Sequence, residues 1–426
     1  MAVNTPASFQ KLVIYEVFVR NYSQNGTFAE VTADLPRLKA LGIDLVWLMP
    51  IHPIGEVNRK GSEGSPYAIA DYRAVNPKYG VEADFKHLID TAHSLGLKVM
   101  IDVVYNHTSP DSVLAQQHPD WFYHNEAGQP MPRFPEWSDI VDLDYRHLEL
   151  FEYQIETLLK WVRLGVDGFR CDVASLVPLE FWQQARAAVA AVKPNFIWLA
   201  ESVHPHFIRL MRRQGYLALS DSEVHQAFDL TYDYDIYDEW VGCLEGKNTL
   251  ADYARMLDWQ EAIYPANYIK LRFVENHDHP RAAARIPELD RLKCWTAFMA
   301  FNKGAFLIYA GQETGATKLP SLFELDPLDW PDDKPILSDF LARLTALKKD
   351  PATDGLFEVV VADTHLQTRW IQGGRGLYGI FNVQSLTGSV PVELPDGVYT
   401  NLLDDTEITV SAGQIELPLL PVIVRF

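Results

Sequence analysis

Short runs of β-branched, aromatic and aliphatic residues recur along the chain, separated by longer stretches in which apolar positions return every three or four residues. The runs VIYEVFV (13–19), IDLVWLM (43–49), KVMIDVV (98–104), VDGFRCD (166–172), FIWLAE (196–201), AFDLTYD (227–233), YIKLRFV (268–274) and AFLIYAG (305–311) read as strands. The stretches FAEVTADLPRLKALG and ADFKHLIDTAHSLG are amphipathic, and each ends at a glycine, where helices commonly stop. Eight strands alternating with helices predict a parallel sheet closed as an α/β (β/α)8 TIM barrel. The sixth run carries the weakest strand pattern.

Two segments depart from this rhythm. Residues 106–145 are rich in Pro, His, Asp and aromatics and too long for a plain connection, so they read as a small subdomain inserted after the third strand. Beyond the helical pattern SDFLARLTALKKD the chain turns to alternating strands with turn dipeptides, in GGRGLYGIFNV, GSVPVELPDGVYTNLL and GQIELPLLPVIVRF. That predicts a C-terminal antiparallel β-sandwich domain over 352–426. The barrel then takes residues 1–105 and 146–351.

Composition narrows the function classes. With 426 residues, 48% of them apolar, the chain can bury a large barrel core and a smaller second one. A net charge of -20 repels phosphate backbones and anionic lipid, which argues against nucleic-acid and membrane partners. Cys171, Cys243 and Cys294 lie far apart with no CxxC pair, against a disulfide framework or a structural zinc site. The opening MAVNTPASFQKLVIYEVFVR lacks the basic start, apolar run and cleavage site of a leader, and no apolar run is long enough to span a bilayer. The expectation is a reduced, cytoplasmic protein.

In barrels of this kind the reactive groups gather at the C-terminal ends of the strands. Those ends supply Asp102, Asn106 and His107 after the third strand, Arg170 and Asp172 at the fourth, Glu201 at the fifth, and His277 and Asp278 after the seventh. Alternate residues of a strand share a face, so Arg170 and Asp172 point one way while Phe169 and Cys171 point the other. A single strand-end aspartate is commonly a loop anchor, and Asp102 taken alone reads so. Several carboxylates, two histidines and an arginine on one rim read as a site.

Four of these motifs, DVVYNH (102–107), GFRCDVAS (168–175), WLAES (198–202) and FVENHD (273–278), resemble in order those of the α-amylase family of glycoside hydrolases. GSPYAIADYRAVNPKYG (64–80), GQETG (311–315) and the C-terminal β domain add to the resemblance, which covers nearly the whole chain. It implies that Asp172 is the nucleophile, Glu201 the acid that protonates the leaving oxygen, and Asp278 a stabiliser of the oxocarbenium-like transition state. It also implies a substrate-binding set of His107 and His277 on sugar hydroxyls and Tyr67 beneath the ring, with Asp102 and Arg170 beside them. Arg170 is expected to hold Asp172 below the usual carboxylate range, and Asp172 and Asp278 to push Glu201 above it. Tyr67 alone reads equally as a packing aromatic, and WFYH (121–124) and PEWSD (135–139) equally as sugar-stacking surfaces or subdomain core.

Many family members bind a structural Ca²⁺ between barrel and insertion through oxygen ligands. Asn106 and Asp142 match two of those ligands, but Ser175 and Leu176 stand where such members carry Lys-His, and the insertion is short. The expectation is that no metal or other cofactor is required, with Asn106 and Asp142 as hydrogen-bonding anchors. The implied activity is retaining cleavage of α-1,4-glucosidic bonds in maltodextrins or starch, as in intracellular maltose-forming amylases. A transglycosylase that passes the same covalent intermediate to another sugar stays open as the alternative. A Mg²⁺-dependent barrel enzyme gives no reason for an arginine beside a ligand, and a non-catalytic relative would have lost the nucleophile or the acid.

Overall fold

The computed structural model describes residues 5–426. Eight parallel strands, β1 (Val13–Val17), β2 (Leu45–Leu48), β3 (Lys98–Val103), β4 (Gly168–Cys171), β5 (Ile197–Ala200), β6 (Leu230–Tyr232), β7 (Lys270–Arg272) and β8 (Ala305–Tyr309), pair in sequential order, and β8 pairs back onto β1 to close a TIM barrel. Each predicted run contains one strand, shortened at its ends. The apolar runs extend beyond the ladders: Val166 before β4 and Phe273 after β7 are buried outside the paired residues. The weak sixth run keeps only the residues Leu230–Tyr232 in the ladder.

Helices wrap the barrel where the apolar periodicity predicts them. Helix Phe28–Ala40 opens with a capping box between Thr27 and Glu30 and buries Phe28, Val31, Leu35 and Leu38. It ends at Gly42, whose φ of +88° is open to glycine, and an added Cβ there would lie 2.3 Å from Thr345 Oγ1. Position 42 is thus fixed twice, by backbone and by packing. Helix Glu82–Ser94 closes the same way, with Gly96 N donating to His93 O and Leu97 N to Ala92 O.

Between β3 and β4 the insertion is anchored by a short antiparallel ladder, His107–Thr108 against Val141–Asp142. After helix Ser338–Lys348 comes a four-stranded antiparallel sheet of Leu356–Val360, Leu366–Gln372, Arg375–Phe381 and Val422–Arg425, with two small ribbons packed on it. Strand alternation divides its two faces. Leu377 and Phe381 join the barrel core, whereas Tyr378 and Ile380 face Val392, Ile408, Val410 and Ile415 in a second core. Trp370 Nε1 donates to Phe301 O at 2.9 Å and pins the C-terminal domain to the barrel. Among the described residues, no helix is long and apolar enough to cross a membrane.

Candidate active site

A cleft of about 360 Å³ opens at the C-terminal ends of the barrel strands, lined by Tyr67, His107, Trp137, Asp172, Glu201, His277 and Asp278 among others. Its floor is organised by Arg170. The strand register sets Arg170 on β4 opposite Asp102 on β3. Arg170 Nη1 donates to both oxygens of Asp102, at 2.9 and 3.0 Å, and to Asp172 Oδ1 at 2.8 Å. Arg170 Nη2 lies 2.9 Å from Glu201 Oε2 but off the N–H axis, an ion contact without an aligned hydrogen bond. One buried guanidinium therefore holds three carboxylates.

The backbone extends this order past the ladder. Asp172 N donates to Val103 O and Glu201 N to Cys171 O, both at 3.0 Å, so the two side chains leave from pinned main chain. Val173 follows Asp172 with φ +41°, ψ +41°, a left-handed conformation that a β-branched residue adopts only under strain. That conformation turns the Val173 amide onto Glu201 Oε2 at 2.8 Å. The strain buys a fixed orientation for Glu201.

Opposite lies His277, fully buried. Its Nδ1 pairs with Glu16 on β1, and its Nε2 lies 2.7 Å from the Tyr67 hydroxyl and 3.2 Å from Asp278 Oδ2. Burial works against a charge on this ring, but Asp278 and Glu16 outweigh it and raise its pKa to about 9. The protonated imidazole donates from both nitrogens, which leaves the Tyr67 hydroxyl free to donate to Asp102 Oδ2 at 3.2 Å. The Tyr67 ring stacks on His277 with centroids 5.5 Å apart. His107, by contrast, is pushed by burial toward the neutral form.

The carboxylates respond chiefly to loss of water. Burial, with Asp172 and Asp278 nearby, pushes Glu201 up to about 7 against the pull of Arg170. Asp172 is also raised, by burial first and Asp278 second, although Arg170 pulls it down. This overturns the expectation that Arg170 holds Asp172 below its usual range: desolvation is the larger effect. The two are still unequal, because only Asp172 accepts an aligned bond from Arg170.

The site residues named from the sequence converge, with one correction. Asp172, Glu201 and Asp278 reach the cleft, with side chains 9%, 13% and 36% exposed. Tyr67, His107 and His277 line it. Asp102 and Arg170 do not, since both side chains are wholly buried beneath the floor. They hold the carboxylates and Tyr67 in place rather than touching what enters. The aromatics of the insertion divide: Trp137 lines the cleft, while Trp121 and Phe122 are core.

Asn106 and Asp142 are bonded to each other and to a side chain of the insertion. Arg133 lies between them, with Nε donating to Asp142 Oδ2 at 2.8 Å and Nη2 donating to Asn106 Oδ1. The Arg133 amide also donates to Asp142 Oδ2 at 2.8 Å, and Asn106 Nδ2 to Asp142 Oδ1 at 3.2 Å. A guanidinium already spends the oxygens that a hard cation would need. The sequence reading missed Arg133, which carries no local signal in MPRFPEW, and Glu16, whose signal was a lone acid inside an apolar strand.

Comparison with known proteins agrees with this geometry. The model of the alpha amylase catalytic domain matches residues 6–352, and that of the bacterial alpha amylase C-terminal domain matches residues 358–424. The crystal structure of an alpha-amylase from Lactobacillus plantarum is similar over 99% of this chain and 100% of its own, with TM-score 0.96 and 45% identity. A noncanonic maltogenic alpha-amylase from Thermotoga neapolitana is similar over 98% of this chain and 99% of its own, with TM-score 0.88 and 35% identity. Among curated proteins, an alpha-1,4-glucan:maltose-1-phosphate maltosyltransferase of Myxococcus xanthus is 32% identical over 47% of this chain and 34% of its own length. An alpha-amylase of Haloarcula japonica is 27% identical over 82% of this chain and 50% of its own length. The chain spans between a third and a half of the length of these two curated relatives.

Proposed function

The chain belongs to the α-amylase family, and from that premise we propose that it is a retaining hydrolase of α-1,4-glucosidic bonds in soluble maltodextrins, releasing maltose and short oligosaccharides. The observation that carries this reading is the single Arg170 guanidinium between Asp172 and Glu201. Carboxylates in contact with the two nitrogens of one guanidinium are able to approach to the spacing of a retaining pair. Retaining pairs lie roughly 5 Å apart, whereas inverting pairs need roughly 6.5–9.5 Å to admit a water.

The roles follow from protonation. Asp172, ionised, attacks the anomeric carbon while Glu201 gives its proton to the departing glycosidic oxygen. The glycosyl ester on Asp172 is then hydrolysed by water, from which Glu201 takes the proton back. Asp278 binds hydroxyls of the reacting sugar and stabilises the positive charge that develops at the anomeric carbon, while the charged His277 holds Tyr67 and Asp278 at the cleft. Asp102, Arg170 and Glu16 position these groups.

Transfer to a second sugar uses the same intermediate and is the alternative, favoured by the maltosyltransferases among the relatives. Hydrolysis is preferred because two relatives similar over their whole length at 35% identity or more carry alpha-amylase names. The three free cysteines support a reducing, cytoplasmic setting. The test is a time course on maltotriose and maltotetraose followed by proton NMR. We expect α-anomeric products first, with none longer than the substrate. Initial β-product would overturn double displacement, and longer products would assign the chain to transfer.

A further inference from the structure

Beyond the carboxylate cluster, the loop after β5 carries a second group of ligating side chains. In ESVHPH, His204 and His206 follow Glu201, the first capping helix Pro205–Arg213 and the second lying in its first turn. Facing them is Asp238, in the first turn of helix Tyr237–Leu244. His204 Nδ1 is 3.6 Å from Asp238 Oδ1, and His206 Nδ1 is 3.6 Å from Asp238 Oδ2. One donor atom from each residue lies within 4.8 Å of the other two.

These separations are too long for hydrogen bonds. They suit a shared ion instead: donors about 2.0–2.1 Å from one metal stand roughly 3.3 Å apart at the tetrahedral angle. A second observation points the same way. His204 Nδ1 is buried and has no hydrogen-bond partner, although its ring is fixed by stacking on Tyr234 with centroids 4.4 Å apart. A buried nitrogen left unpaired is costly unless something binds it.

We propose that His204, His206 and Asp238 bind a divalent transition metal of the Zn²⁺ class at the lip of the cleft, and that the bound ion obstructs the leaving-group side. Two imidazoles and one carboxylate are a three-ligand zinc set with a fourth position left for water or a sugar hydroxyl. Calcium and magnesium are disfavoured, because two of the three donors are imidazole nitrogens and those hard cations take oxygen ligands. His204 and His206 line the same cleft as Glu201. Assigning this lip to the departing sugar rests on the role proposed above for Glu201; the metal site itself does not.

The test uses the full chain, freed of metal by a chelator. Zn²⁺ is titrated by calorimetry, and Co²⁺ by its visible absorption as a report on coordination. We expect one ion per chain, bound at least about tenfold more weakly after Asp238→Asn or His206→Gln. Zinc should inhibit turnover over the range in which it binds, and Asp238→Asn should keep metal-free turnover while losing that inhibition. No saturable binding, or binding unchanged by both substitutions, overturns the site. One-to-one binding that leaves turnover unchanged overturns the obstruction. A protein that binds zinc as described yet has no glucan-cleaving activity upholds the site and counts against the proposed function instead.

Discussion

Arg170 faces Asp102, Asp172 and Glu201 with unequal bonds, and in the mechanism proposed above that inequality separates nucleophile from acid. Substitutions that keep shape but remove one function test the separation. Asp172→Asn is expected to lower turnover by about 10⁴-fold or more, and Glu201→Gln by about 10²–10⁴-fold, with circular dichroism unchanged. A variant at either position that keeps a tenth of wild-type turnover would sink the roles assigned here. The pH profile belongs to the same scale. Glu201 must carry a proton to act as acid, so kcat/KM should fall as pH rises through about 7. Stability follows the same sign. A carboxyl raised from 4.5 to about 7 on folding contributes stability that is present below 4.5 and lost as pH rises through about 7. Glu201→Gln should therefore melt higher than wild type above neutral pH, with the gap closing in acid. A basic limb unmoved by Glu201→Asp would reassign the titrating group.

At the level of elements, the two ends of the insertion are held together by the ladder of His107–Thr108 on Val141–Asp142 and by the Arg133 ion pair with Asp142, both side chains buried. We propose that this guanidinium makes a bound calcium unnecessary at Asn106 and Asp142. Dialysis against a chelator is expected to leave the melting temperature and the rate unchanged. A fall of several degrees that Ca²⁺ alone reverses would contradict this. Arg133→Ala leaves Asp142 buried without its cation, and is expected to cost about 3–5 kcal/mol. Because His107 lies on the same ladder, the rate should fall with it. Urea unfolding and a rate measurement on the variant check both effects.

For the whole molecule, the barrel core continues into the C-terminal sheet through Leu366, Trp370, Leu377 and Phe381. Such continuity favours joint unfolding of the two parts. Trp370→Ala removes a buried ring and its bond to Phe301 O, and is expected to destabilise by about 3–5 kcal/mol. Calorimetry should show a single transition in wild type, moved downward in the variant. Two resolved transitions in wild type would mean that the shared core does not couple the domains.

The chain order of apolar runs was enough to determine the barrel, because strands and helices each leave a local periodicity that survives in one dimension. It also located Asp172, Glu201 and Asp278, since barrel chemistry collects at strand ends and those ends are visible as motif boundaries. Glu16 and Arg133 became meaningful only in three dimensions. Glu16 meets His277 across the barrel, and Arg133 meets Asn106 and Asp142 across the insertion. Burial decided the rest. The sequence placed Arg170 beside Asp172 and pointed to a lowered pKa, but the depth of the floor, which desolvates that carboxylate and removes Asp102 from the cleft, exists only once the sheet has closed.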